Sequence, residues 1–269
     1  MSEIKISAMV VGRNESKKLD KCFLSLVFCD EILYADLDST DNSIAIARSY
    51  NCRIFEYKTF GPSCEYTQTD LIKQVKNDWV IMLDPDEELS HELIQQLTQC
   101  LPEINNHDTI GDVYVPWQFY FSNKKLKGTV WGHNKEKGIL INRNRYEILP
   151  ITHLGRRLLP GYTSLHLNAT GKNVLHHYWM DDIPSFLKKH AKYLKDDGRD
   201  RYTMGQRISM AGVLYNVFYQ FVLCYFIQKG YKDGWRGVFL SFFWTYYSTR
   251  SNISLYRIAR AKTTSDAKN

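Results

Sequence analysis

The chain has 269 residues with hydrophobic and charged shares of 44% and 24%, which suits one large domain or one domain with an appended module. Six cysteines without a CxxC pair or regular spacing argue against a disulfide framework or a zinc site and for small buried side chains in a reducing compartment. The net charge of +6 is uneven: residues 185–262 hold 14 Lys and Arg against 4 Asp and no Glu, a balance of +10 that leaves the remainder at −4. No nucleic-acid-binding motif accompanies this basic, aromatic back end, so nucleic acid is not the expected partner.

The opening "MSEIKISAMVVGRNE" lacks the regions of a signal peptide and reads as a first strand, so the protein is expected in the cytoplasm. Ser16 is positioned to cap a helix through "KKLDKCFLSLVF", and "EILYAD" is a second strand ending on Asp36. A capped helix in "STDNSIAIARSY", a strand in "CRIFEY", a helix in "TDLIKQVK" and a strand in "DWVIML" follow. Ser90 then caps "SHELIQQLTQC". Four strand–helix alternations predict right-handed βαβ units, an α/β fold with a mostly parallel central sheet, and a ligand crevice at the carboxyl ends of the strands. Asp36 and Asp84 both fall at such ends. From residue 112 to about 177 the pattern turns β-rich and loop-rich, and from 181 it is helical.

The segment "IMLDPDEEL" crowds Asp84, Asp86, Glu87 and Glu88 around Pro85. Carboxylates at this density repel one another. Two aspartates flanking a proline after a strand place hard oxygen ligands on one side of the chain, as Mg²⁺ or Mn²⁺ requires, and such a cation can bridge a diphosphate. The competing account is a helical first turn, in which Glu87 and Glu88 complement the helix dipole.

In order and spacing, "ISAMVVGRNES", "DEILYADLDSTDNSIAIA", "NDWVIMLDPDEEL" and "LHHYW" resemble the family-2 glycosyltransferases, which have the Rossmann-like GT-A fold. The resemblance points to the bacterial lipopolysaccharide-core β-glucosyltransferase branch, where a "GFLDGW"-like stretch also stands near "KGYKDGWRG". It implies an inverting hexosyltransferase that uses a UDP-sugar, or a dTDP-sugar, on a lipid-linked, lipopolysaccharide or polysaccharide acceptor. Val11, Gly12 and Glu15 would line the nucleotide pocket, Asp36 would accept the base imide N–H, and Asp84 would meet the ribose or a metal-bound water. Asp86 would hold Mn²⁺ or Mg²⁺, with His177 as a second ligand. For Asp36 an Asx-turn is the alternative, and for His177 a core position beside Trp179. Relatives tend to carry Arg where this chain has Gln68, which leaves a phosphate-holding charge to be found elsewhere, for instance at Lys73. For the catalytic base, "TVWGHNKEKG" offers Glu136 and "ITHLG" offers His153, with Leu154 standing where the branch has Glu.

The range 1–180 is therefore expected to be the catalytic domain, with a nucleotide-binding half (1–110) and an acceptor half (111–180). An amphipathic helical region (181–262) and a frayed polar tail (263–269) follow. "AGVLYNVFYQFVLCYFI" is short of a membrane span, and with "VFLSFFWTYY" it is bordered by Arg and Lys. These runs suit helices lying in the interface of the inner face of the cytoplasmic membrane; core packing or a homo-oligomer interface is the alternative. The absence of GxGxxG after the first strand disfavours a dehydrogenase, and a first loop with a single glycine disfavours a nucleotidyltransferase. A catalytically inactive, nucleotide-binding membrane partner is the reading from another class.

Overall fold

The computed structural model describes residues 4–58, 64–149 and 156–266. Its elements in chain order begin with β1 (Ile6–Gly12), α1 (Ser16–Leu24), β2 (Glu31–Asp36), α2 (Ser43–Ser49), β3 (Arg53–Glu56) and α3 (Cys64–Leu71). Next come β4 (Trp79–Leu83), β5 (Glu87–Leu89), α4 (His91–Asn106), β6 (Ile110–Phe121), β7 (Lys124–Lys125) and α5 (Thr129–Gly132). The strands β8 (Lys135–Asn142), β9 (Tyr146–Ile148), β10 (Arg156–Leu158), β11 (Thr163–His166) and β12 (Leu175–Met180) follow. The chain closes with α6 (Ile183–Leu194), α7 (Asp197–Thr203), α8 (Met210–Val222) and α9 (Trp235–Asp266). It divides into two units, one of Met1–Gln118 with Asn134–His177, the other of Phe119–His133 with Tyr178–Asn269.

In the first unit β3, β2, β1 and β4 run parallel, as the alternation predicts, and β8 then pairs antiparallel with β4. Strand β6 is antiparallel to β8 with a register shift at Val113/Tyr114, and β11 lies parallel to β6. Both faces of the parallel part are covered, which is why β1 is buried along its whole length. Ala8, Val10, Tyr34 and Ile81 pack with α1, α2 and α4 on one face, whereas Met9, Val11, Leu33 and Val80 pack with α3 on the other. Gly12 pairs with Asp36 and Val10 with Leu83, so the carboxyl ends of β1, β2 and β4 lie side by side.

One local expectation is corrected, and one competing account fails. Ser16 is the first residue of α1, not its cap. The start of that helix is held from across the turn: Asp41 accepts the Ser16 N–H at 3.1 Å and Ser43 Oγ accepts the Glu15 N–H at 3.0 Å. Asp41 also accepts the Ser43 N–H at 2.9 Å, and these hydrogen bonds overcome the effect of burial and bring its carboxyl down to about 2. Second, Glu87 and Glu88 are not in a helical turn. They form β5, antiparallel to β12, and α4 begins only after Ser90, whose Oγ accepts the Leu93 N–H at 3.2 Å as expected of its cap.

The second unit is built around aromatic rings. Trp131, Trp179, Phe186 and Phe243 surround His190, whose ring centroid lies 4.1 Å from that of Phe186. Asp182 caps α6 by accepting the Ser185 N–H at 2.7 Å. The "KGYKDGWRG" stretch is a backbone clasp: the Asp233 carboxylate accepts the N–H groups of Lys127 and Gly128 at 2.7 and 2.8 Å. A side chain at Gly237 would put its Cβ 1.8 Å from the Gly230 carbonyl oxygen, so only glycine fits. The helical run Met210–Ile227 is long and apolar enough to cross a bilayer by length and composition, yet only 11% of it is buried. Asn216 and Gln220 point inward from it, and Gln220 accepts the Trp244 indole N–H at 2.8 Å.

Candidate active site

The acidic cluster closes on a lysine. Lys137, on β8, donates to Asp84 Oδ2 at 2.8 Å and to Glu87 Oε2 at 2.6 Å, with its ammonium 5.2 Å from the centre of the Trp117 ring. Burial opposes the charge on Asp84, but Lys137 and then Arg156 outweigh it and hold this carboxyl far below the usual range. Burial dominates at Glu87 and raises its carboxyl despite the same lysine. Lys137 is itself pushed up, because the two carboxylates overcome its desolvation. The difference follows exposure: the Asp84 side chain is 38% open to solvent and that of Glu87 is fully buried, with Oε1 lacking a hydrogen-bond partner.

Beside this knot, Asp86 Oδ1 lies 3.3 Å from His177 Nε2, and the imidazole stacks on Trp117 at 5.2 Å and 5°. Both are nearly enclosed. Cis ligands of an octahedral ion at about 2.0–2.1 Å sit about 3 Å apart, so the pair fits a divalent cation, and its imidazole weighs toward Mn²⁺ over Mg²⁺. Among the described residues no three His, Cys, Asp or Glu converge on one point. The pair could therefore offer a cation two donors.

Lys137 and Glu136 are successive on β8 and point to opposite faces. Glu136 Oε2 lies 2.7 Å from His166 Nδ1, and Tyr114 stacks on the His166 ring at 4.8 Å. This contact at Nδ1 turns the His166 Nε2 edge away from the Glu136 carboxylate. Arg156, on β10, donates to Gln68 Oε1 at 3.2 Å, and its positive charge also reaches Asp84 and Tyr114. Among the described residues no carboxylate pairs with Arg156.

The family model for "Glycosyl transferase family 2" matches residues 7–159, more than half of the chain. The chain belongs to this family. An uncharacterised glycosyltransferase of Rickettsia bellii is 23% identical over 256 residues, covering 88% of this chain and 82% of that one. The lipopolysaccharide core biosynthesis glycosyltransferase LpsC of Rhizobium meliloti is 31% identical over 120 residues, covering 43% and 42%. Among solved structures, glucosyl-3-phosphoglycerate synthase from Mycobacterium tuberculosis in complex with phosphoglyceric acid superposes with a TM-score of 0.50 at 14% identity, covering 77% of this chain and 82% of that one. The transferase therefore has the α/β GT-A fold with a helical C-terminal region.

The residues singled out in the transferase sequence fall as follows. Val11 is a core side chain, so only its backbone faces the strand ends. Gly12 has to be small, since a Cβ there would sit 2.8 Å from Pro85. Glu15 stands at the start of α1. Asp36 is 1% exposed, and its carboxylate is held in the local turn: Oδ2 accepts the N–H of Ser39, three residues on, at 2.8 Å, while Tyr34 donates to Oδ1 at 3.3 Å. Gln68 is buried and holds Arg156. Asp84, Asp86 and His177 come together, and Glu136 pairs with a histidine. His153 and Leu154 lie outside the described residues. Lys137, Arg156 and His166 were not anticipated; the one available signal was a strand-like "KEKGILIN" that puts Lys137 on the same face as buried apolar residues.

Proposed function

We propose that the transferase is an inverting hexosyltransferase that moves a sugar from UDP, or from dTDP, to a lipid-linked glycan of a lipopolysaccharide or polysaccharide pathway. The observation carrying this reading is the Asp86–His177 pair beside a carboxylate, Asp84, that a buried lysine keeps ionised. The LpsC similarity supports the acceptor class. The apolar, largely uncovered helix of the second unit supports a peripheral position on the inner face of the cytoplasmic membrane.

In this reading Asp36 accepts the base imide N–H through Oδ1, while its turn holds the strand ends of β1 and β2 in place. Asp84 meets the ribose, and Arg156, aimed by Gln68, forms charge-assisted hydrogen bonds to the diphosphate. Asp86 and His177 would hold the divalent cation, and such a cation would supply positive charge to offset that of the departing diphosphate. The acceptor oxygen attacks the anomeric carbon as the bond to the diphosphate oxygen breaks, and inversion follows from this single displacement. His166 Nε2 takes the hydroxyl proton, and Glu136 steadies the imidazolium that results.

The test is thermal-shift binding of UDP, dTDP and GDP with and without Mn²⁺. UDP at a hundred times its Kd stabilises the native state by about 2.7 kcal/mol, which reads as a rise of several degrees. We expect that rise to need Mn²⁺ and to vanish in Asp86→Ala. Well-folded protein that responds to no nucleotide would overturn the metal–nucleotide reading, and binding of UDP without release of UDP from any UDP-sugar would favour the inactive, nucleotide-binding partner.

A further inference from the structure

On α8 the residues Met210, Val213, Leu214 and Val217 follow the i, i+3, i+4, i+7 spacing of a stripe made to pack against a neighbour. The stripe faces α9, yet the two helices leave a groove of about 670 Å³ between them. The groove is open to solvent along Met210 and Leu214, which are 47% and 63% exposed, and its volume is that of a ligand site. The α9 wall supplies Ile253 and Tyr256, and then Arg257 and Arg260, three apart and so on one face of the helix. Among the described residues no acidic side chain lines the groove and no carboxylate pairs with Arg257. Arg260 donates to the Tyr256 hydroxyl at 3.5 Å, which keeps its guanidinium at the same end.

We infer that this groove is a binding site for one acyl chain of an anionic phospholipid, with the phosphate held by Arg257 and Arg260. An apolar trough ending in two cations matches an apolar tail that ends in an anion, and guanidinium groups suit phosphate oxygens. Continuity with the exposed α8 surface, where Phe218 is 79% exposed, lets a lipid enter sideways from a bilayer. The site deepens the membrane reading above and is independent of the donor chemistry.

The experiment uses the full chain and three soluble probes: lysophosphatidylglycerol below its micellar concentration, lysophosphatidylcholine, and glycerol 3-phosphate, each titrated with native mass spectrometry as readout. One lysophosphatidylglycerol is expected per chain, bound at least tenfold more tightly than the choline lipid, with no binding of the tail-free phosphate. Val217→Trp and Ile253→Trp fill the groove from opposite walls, and each is expected to weaken lipid binding at least tenfold while UDP-induced stabilisation stays unchanged. Arg257→Gln with Arg260→Gln is expected to erase the preference for the anionic lipid. Undiminished binding in both Trp variants would overturn the site, even if vesicle association persisted through the rest of α8. So would equal binding of the two lysolipids, or a dimer that dissociates in Val217→Trp, which would assign the groove to a second copy of the chain.

Discussion

The two units break the ordinary inside-out arrangement in opposite directions. The first buries charge: Lys137 has a side chain 12% exposed and shares it between two carboxylates. The second leaves apolar rings in the open, with Phe218, Phe242 and Trp235 on its surface. Buried charge and large exposed apolar patches are each costly for a fold, and sequences retain them where a ligand or a surface completes them. In the proposed reading the difference divides the work: the first unit meets a charged small molecule and the second meets an apolar phase.

Breaking the buried charge should have the largest effect. Lys137→Met leaves Glu87 without its cation and is expected to cost about 3–5 kcal/mol in denaturant unfolding. Water screens the partly open Asp84, so most of that cost arises at Glu87, and Lys137→Met with Glu87→Gln should recover most of it. The sign with pH is a further check. A carboxyl raised above its unfolded pKa of about 4.3 binds more protons folded than unfolded between the two values, so stability grows as pH falls through that window. The deficit of Lys137→Met should therefore narrow from pH 7 to pH 5. A loss that is small at both pH values would mean that the charge is not truly enclosed.

On the opposite face of β8, His166→Gln should lower kcat on the order of a hundredfold with KM little changed, because it removes a proton acceptor used only as the bond forms. Glu136→Gln should act in the same direction, more weakly, and the pair together should cost little more than His166→Gln alone. Additive losses would separate the two residues. Arg156→Ala should weaken UDP binding about tenfold or more, the worth of one charge-assisted contact, and leave uridine binding unchanged. Equal losses for UDP and uridine would mean that Arg156 shapes the base pocket rather than the phosphate site.

The sequence disclosed the parts of the site that are local. Continuous apolar runs marked β1, β2 and β4, Ser90 marked the start of α4, and Asp36 and Asp84 were found at strand ends, because each signal lies within one element. Lys137 and His166 were hidden because their partners are set by the sheet order, which brings β8 beside β4 and β11 beside β6 across 50 or more residues of chain, and Arg156 because its partner Gln68 stands on α3, far away in sequence. A lysine in "NKEKG" looks like a solvated charge until that pairing is known. The helix start at Ser16 was misjudged for the same reason, since its N–H is satisfied by Asp41 from another loop. That Glu87 and Glu88 form a strand was not legible, because β5 exists only by pairing with the distant β12.

The smallest effect is expected in the second unit, and it sharpens the contrast. His190 sits among Trp131, Trp179, Phe186, Phe243, Tyr193 and Tyr247, donating from Nδ1 to the Phe186 carbonyl at 2.8 Å. Burial, with a lesser contribution from Lys189, lowers its pKa below the ordinary value, so the ring is held neutral. The unfolded chain then binds more protons than the folded one as pH falls below about 6.5, and stability is lost in that direction. Above both pKa values the group contributes nothing to the pH dependence. His190→Gln, which keeps a donor for the Phe186 carbonyl, should flatten the stability–pH curve between pH 7 and 5 by less than about 1 kcal/mol, within the slope limit of about 1.4 kcal/mol per pH unit for one proton. Turnover should be unchanged at neutral pH. A loss of turnover in His190→Gln with stability intact would show that a buried titratable group in the aromatic unit serves the chemistry as well, and the division of labour between charged and apolar units would fail at its most sensitive point.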